Sequence, residues 1–402
     1  MYWPMALFYS IGGLFAFLLT LQNLYKDSVN FGFQEISFSA TIYYIFCVFL
    51  LFEPIRREKS NYEYDGKIDL KNLRLLCILF IIVSFFYTIA IIPFVNVAFN
   101  TLDAVAYHND MLEQGGVDIA HGNLLLTKIF FFQEILRPIF IFLACYILCD
   151  NRFSNKFKFV LCTCCIIPTI LDSMASSSRN TMFFCLIDFF IGFLLFYQKY
   201  SKNIKRNVII ISSILGVIVA IIVVVFAFMR FSDTVEGNIV SYSLYRYAGE
   251  PIVNFNTMLW DNGHLLYGNK SFTIIRSILG YDVVDPGMQR EYYTSLPYVI
   301  YCFYSIIGNF YMDFGFWGGI ILCALIGLFF NFILNNILVN NTITRLTIIF
   351  LYVSFTIKNY FYFAFLGTNN ILFIWYCIFV FILYKYVDRG TILKTNKNGY
   401  KK

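Results

Sequence analysis

Apolar runs recur along the whole chain, separated by short polar stretches. A run of about 20 apolar residues, wound as a helix, matches the hydrocarbon core of a bilayer. The pattern therefore predicts an all-α, polytopic membrane bundle with spans at roughly 3–21, 37–53, 75–97, 124–149, 159–175, 182–198, 207–228, 316–338, 345–364 and 369–386. One interruption stands apart. From Arg230 to about Pro297 the chain turns to mixed polar and aromatic sequence, and a loop of such length usually carries function. Residues 292–312 are apolar enough to cross, but Pro297, Gly308 and Asn309 interrupt them. They are expected to form a re-entrant or interfacial segment, because broken backbone is tolerated at membrane depth only when buried against protein. The expected organisation is thus seven spans over 1–229, an extracytoplasmic region over 230–315, three spans over 316–386 and a basic tail over 387–402.

Composition agrees with this class. Hydrophobic residues make up 59% of the chain and charged residues 13%, against about 25% charged in soluble domains. The cysteines lie in or beside apolar runs, apart from Cys302. The Cys162 to Cys165 cluster lacks nearby His, so packing explains it better than metal binding. The first span has no basic leader and no small-residue cleavage site, so it is expected to be retained.

Charge orients the bundle. Twenty of the thirty Lys and Arg residues fall in one set of loops and the tail, among them Arg56, Arg57, Arg152, Lys199, Arg206 and Arg389. The opposite set holds eight, and residues 100–123 hold none. Basic residues stay on the cytoplasmic side. Both termini are accordingly expected in the cytoplasm, and the long loop outside.

Ionisable groups inside spans are expensive and draw attention. The fourth span carries Lys128, Glu134 and Arg137. Glu134 and Arg137 share a helical face, which suits either a structural ion pair or the cationic wall of an outward cavity. Asp188 in the sixth span is expected to meet a basic partner. Between spans five and six, Ser176-Ser177-Ser178-Arg179-Asn180-Thr181 is either a helix end with a snorkelling Arg or a donor-rich turn suited to an anion. The long loop supplies Arg230, Arg246, Tyr247, Glu250, Arg276 and Arg290. Aromatic faces stack on sugar rings and guanidinium groups grip phosphate oxygens, so this mixture suits a glycan bearing phosphate as well as a plain polar cap. Asn309 and Asp313 precede the eighth span, where Asp313 is a helix cap or a site residue. His108 and His121 have no metal-binding spacing and fit a solvated loop, with acid–base chemistry as the alternative.

The Ser177-Ser178-Arg179-Asn180 turn resembles the "S-R-G" turn of Wzy-type O-antigen and capsule polymerases, the oligosaccharide repeat-unit polymerases. The stretch Asn309-Phe-Tyr-Met-Asp313-Phe-Gly315-Phe-Trp-Gly318 is similar to their "N-x-Y…D-F-G-x-x-G" segment. Asn180 departs from the family, where Gly is common. The resemblance implies a glycosyltransferase of the bacterial inner membrane that transfers a growing glycan from undecaprenyl pyrophosphate to a sugar hydroxyl of another lipid-linked repeat. It implies the lipid bilayer and a chain-length regulator as partners, with no cofactor, metal or nucleic acid. On that reading Arg179 clamps pyrophosphate, and Glu250, then Asp313, is the base. Arg137, Arg230, Arg246, Tyr247, Arg276, Arg290 and Asn309 line the substrate. An O-antigen ligase shares the same donor, and a flippase for lipid-linked repeats is the reading from a different class, although no internal repeat supports transport.

Overall fold

In the computed structural model the described residues are 2–21, 36–57, 68–100, 124–175, 180–210, 239–261, 263–282, 304–337, 342–361 and 370–388, with 221 and 224. Among them 87% are helical and none is in a strand. The helices are α1 Tyr2–Leu21, α2 Phe38–Arg57, α3 Leu70–Asn100, α4 Leu124–Cys149, α5 Asn155–Ala175, α6 Asn180–Phe196, α7 Ile239–Asn254, α8 Thr273–Ile278, α9 Ser305–Phe332, α10 Thr342–Lys358 and α11 Asn370–Ile382. Wider π-turns extend α7 over Phe255–Leu259, α9 over Ile333–Ile337 and α11 over Leu383–Val387. Among the described residues six helices are long and apolar enough to cross a membrane, namely α1, α2, α3, α5, α6 and α9, the sixth with Tyr197–Lys199 and the ninth with its π-turn. Shorter apolar stretches lie at Ile135–Cys149 and Phe373–Val387. Large apolar side chains are exposed on these helices, among them Leu7, Phe17, Phe49, Phe85 and Leu328. A helix that is apolar on its outer face as well as its inner one suits lipid rather than water.

The chain divides into two compact units. The first comprises Met1–Glu58, Ser201–Phe332 and Phe355–Ile371. Here α1 packs along α7, and α2 along α9. Small residues make both approaches possible. A Cβ on Gly249 would lie 2.6 Å from the Cα of Ala16 in α1, and one on Gly327 would lie 2.5 Å from the Leu50 carbonyl oxygen in α2. Apolar helices have little hydrophobic drive to associate in lipid, so close backbone contact of this kind supplies the dispersion energy instead.

The second unit comprises Lys59–Tyr200, Ile333–Ser354 and Leu372–Lys402. Its centre is α3 against α5 and α4 against α6. Phe80 and Phe140 stack with centroids 4.0 Å apart, and Gly192 lets α6 approach Cys145 of α4. Asp69 caps α3 by accepting the amides of Lys71 and Asn72 at 3.0 and 3.2 Å. The buried Lys158 ammonium donates to the Leu148 carbonyl at the end of α4, 3.2 Å away, which satisfies one of the acceptors that a helix end leaves open.

Two segments gain detail that the sequence did not show. Part of the region read as an outer loop, residues 239–254, is a helix, and its Gly249 is seated against α1. Its mean polarity hid it, since Tyr, Arg, Glu and Asn alternate with too few aliphatic residues to mark an apolar face. The segment expected to be re-entrant up to 312 is, from Ser305 onward, a helix joined to the one expected from 316. The join is broken at Gly315, whose φ of 68° and ψ of −164° only glycine adopts readily.

Candidate functional site

Among the described residues, the expected site residues gather in three polar clusters. The first lies on α7. Arg246, Glu250 and Asn254 follow one another at four-residue intervals, so they form a line along one face of the helix. The Arg246 Nε stands 3.5 Å from Glu250 Oε2, and the Asn254 side-chain amide donates to Glu250 Oε1 at 3.3 Å. Glu250 and Asn254 are buried, and the Arg246 side chain keeps 20% of its surface open. The line thus runs from a partly open guanidinium to a buried carboxylate held by an amide. The neighbouring face of the same helix fixes its position. Tyr360 donates its hydroxyl to the Ala248 carbonyl, and the Gly12 backbone in α1 lies close against the same hydroxyl.

The second cluster is built around Asp313, immediately before the break at Gly315. Its Oδ1 accepts the amide of Lys270 at 3.1 Å and its Oδ2 that of Ser271 at 2.7 Å. Its own carbonyl accepts the Tyr267 amide at 2.9 Å. The turn reverses through positive φ at Tyr267 and Gly268, and a Cβ at Gly268 would press on Phe314. Arg276 donates to the carbonyls of Tyr267 and Asp282 and lies over the Tyr281 ring. The loop 266–272 is therefore an amide nest that holds Asp313 as its anion. Both carboxylate oxygens are committed to main chain, which makes Asp313 an anchor for the loop and no helix cap. Beside it, burial lowers the Lys270 ammonium from its ordinary 10.5 to about 8, with Asp313 opposing the shift.

Asn309 lies one turn earlier, buried, and donates to the Ser305 carbonyl at 2.7 Å. Ser305 itself has a positive φ, and its amide bonds the Phe361 carbonyl while that of Ile306 bonds Asn359. Asn309 thereby closes the first turn of α9, locally.

The third cluster is in the second unit. Arg137 of α4 has its Nη2 4.0 Å from Asp172 of α5 and 3.4 Å from the Gln133 side-chain oxygen. Tyr87 of α3 donates to Asp172 at 3.1 Å. Arg137 is thus partnered across helices, a contact that spacing within α4 could not indicate; the side chain of its expected partner, Glu134, lies outside the described residues. Asp188, expected to meet a base, accepts a hydrogen bond from the Ser354 hydroxyl.

Arg179, Arg230 and Arg290 lie outside the described residues, as do His108, His121, Cys302 and the side chains of Tyr247 and Lys128. Of the expected site residues, Arg246 and Glu250 come together, and Arg276 joins Asp313 through the Tyr267–Lys270 turn. Arg246, Glu250 and Asn254 share a face only because residues 239–254 are helical, and Tyr360 and Asp172 carried no local signal. No protein-family model, curated protein or solved structure matches the chain.

Proposed function

We propose that the chain is a glycosyltransferase of the bacterial inner membrane that polymerises undecaprenyl-pyrophosphate-linked oligosaccharide repeat units on the extracytoplasmic face. The observation that carries this reading is the Arg246–Glu250–Asn254 line, a carboxylate, guanidinium and amide held together in an otherwise apolar helix packing. Such groups are costly to bury and are retained where chemistry needs them. Ten crossings, with both termini in the cytoplasm, follow from the spans and from the asymmetry of the basic loops.

In the proposed reaction the acceptor sugar hydroxyl attacks the anomeric carbon of the donor glycan. The bond from that carbon to the pyrophosphate oxygen breaks, and its electron pair leaves with undecaprenyl pyrophosphate. The hydroxyl proton passes to Glu250, with Asn254 fixing the carboxylate's orientation. Arg246, at the open end of the line, offsets the charge that develops on the leaving pyrophosphate. The likeness of residues 177–180 to the family's turn separately implies Arg179 as a pyrophosphate clamp. Arg230, Arg276 and Arg290 are further candidates for the same donor. Asp313 is better used as the anchor of loop 266–272 than as a base.

Deleting the gene and resolving the surface glycans tests the reading. A single-repeat product is expected. Loss of all capped core would instead indicate a ligase, and repeat units trapped on the cytoplasmic side a flippase. Arg179→Ala is expected to abolish long polymer, and normal polymer length and rate in that variant would remove the pyrophosphate clamp from the mechanism.

A further inference from the structure

At the end of the π-turn that closes α7, the chain leaves the helix at Trp260 and reverses at Asp261, which is exposed and has a φ of 66°. Non-glycine residues in that region are uncommon, Asp and Asn being the most tolerant, and they persist where the surroundings hold them. Here the surroundings are aromatic. Trp260 stacks on Tyr311 at 5.6 Å with 27° between planes, and Tyr43 lies 5.4 Å away. Phe255 and Phe316 close the set at 6.0 and 6.1 Å from Trp260. The rings are pinned in turn. Tyr43 donates to the Phe316 carbonyl at 3.0 Å and lies tight against Gly319, and the main chain of Asp261 bonds the Tyr311 hydroxyl. Trp260 and Phe316 still keep open surface, and Asp261, the next residue after Trp260, is exposed.

A pinned indole followed directly by an exposed acidic residue is a combination suited to a hydroxyl-rich pyranose. The ring's C–H face lies on the aromatic, and its hydroxyls donate to the carboxylate. We infer that Trp260 and Asp261 form a sugar-binding subsite, with Tyr43, Phe255, Tyr311 and Phe316 as its rigid backing. The subsite takes a neutral sugar ring of the acceptor repeat unit. The inference rests on the proposed function and adds to it the residues that hold the acceptor's sugar. Pre-stacked rings lose little freedom on binding, which favours a weak carbohydrate ligand.

The test uses the full-length protein in nanodiscs. The probe is the host's own surface glycan hydrolysed to single repeat units, free of lipid and phosphate, with binding followed by saturation-transfer NMR. Trp260→Ala is expected to weaken binding about tenfold, the scale of one lost aromatic contact. Asp261→Asn, which tolerates the same backbone, is expected to weaken it by several-fold, whereas Trp317→Ala, on an outward-facing indole, leaves binding unchanged. Trp260→Phe covers the case in which the alanine variant does not fold, and is expected to bind less tightly than wild type. Wild-type binding by both Trp260→Phe and Asp261→Asn would overturn the subsite. If wild type fails to bind the repeat unit although gene deletion leaves a single-repeat product, the subsite fails and the polymerase reading stands. If deletion leaves the glycan ladder unchanged, the polymerase reading falls, and the subsite with it.

Discussion

Gly249 and Gly13 are both helical glycines, yet replacing each by alanine is expected to act with opposite sign. A Cβ at Gly249 would lie 2.6 Å from the Ala16 Cα and nitrogen and 2.8 Å from the Phe15 carbonyl carbon, where ordinary contact begins at 3.4 Å. The atoms struck are backbone, so α1 and α7 must part by about 0.8 Å along that line. Overpacking of this kind costs about 1–3 kcal/mol, and the gain in helix propensity from Gly to Ala returns roughly 1 kcal/mol. The net for Gly249→Ala is a loss of about 0–2 kcal/mol, and Gly249→Leu loses about 3 kcal/mol or more. A Cβ at Gly13 meets nothing within 4 Å, so Gly13→Ala is expected to be neutral or stabilising by up to about 1 kcal/mol. The apparent Tm of the detergent-solubilised protein reads both, at about 2–4 °C per kcal/mol or less in a chain of this size. Ala16→Gly is not expected to rescue Gly249→Ala, because the clash is with the main chain of residue 16 and not its methyl group. Equal Tm shifts for the two alanine variants, or full rescue by Ala16→Gly, would refute the α1–α7 contact that positions Glu250.

Glu250→Gln keeps the shape but removes the base, so polymer synthesis in membranes should drop by at least about 100-fold, and its amide turns a donor toward Arg246 or Asn254 at about 1–3 kcal/mol. Substantial retained activity would move the base elsewhere. Asp313→Asn replaces one acceptor with a donor facing an amide, at about 1–3 kcal/mol. Faster tryptic cleavage at Lys270 and Arg276 reports it, and unchanged cleavage would contradict the anchoring role. The Lys270 ammonium is lowered to about 8 in the folded chain against 10.5 unfolded, so the unfolded chain binds the extra proton between those values. Its contribution to stability therefore rises as pH climbs from 8 to 10.5. Lys270→Met should flatten that part of the Tm–pH curve, and an unaltered curve would exclude the burial of this ammonium.

Length and hydropathy were enough to read the helical class and the apolar helices, because both follow from runs of local composition that lipid exposure makes continuous. Arg246 and Glu250 stand out in the sequence as charged residues of an aromatic segment, but four-residue spacing pairs them only where that segment is a helix. That residues 239–254 form a helix was not legible, because what stabilises it is non-local. Gly249 seats against Ala16 and Tyr360 bonds Ala248, more than 100 residues away in each direction. Asp313 reads in the sequence as a cap or an acid. Only the fold brings the amides of Lys270 and Ser271 to both its oxygens and makes it an anchor. Arg137 likewise had a nearby partner by spacing, and the described contact is to Asp172 on another helix. Local periodicity determines which residues share a face. Which faces meet depends on backbone approach and hydrogen bonds between segments far apart in the chain, and these only the tertiary structure decides.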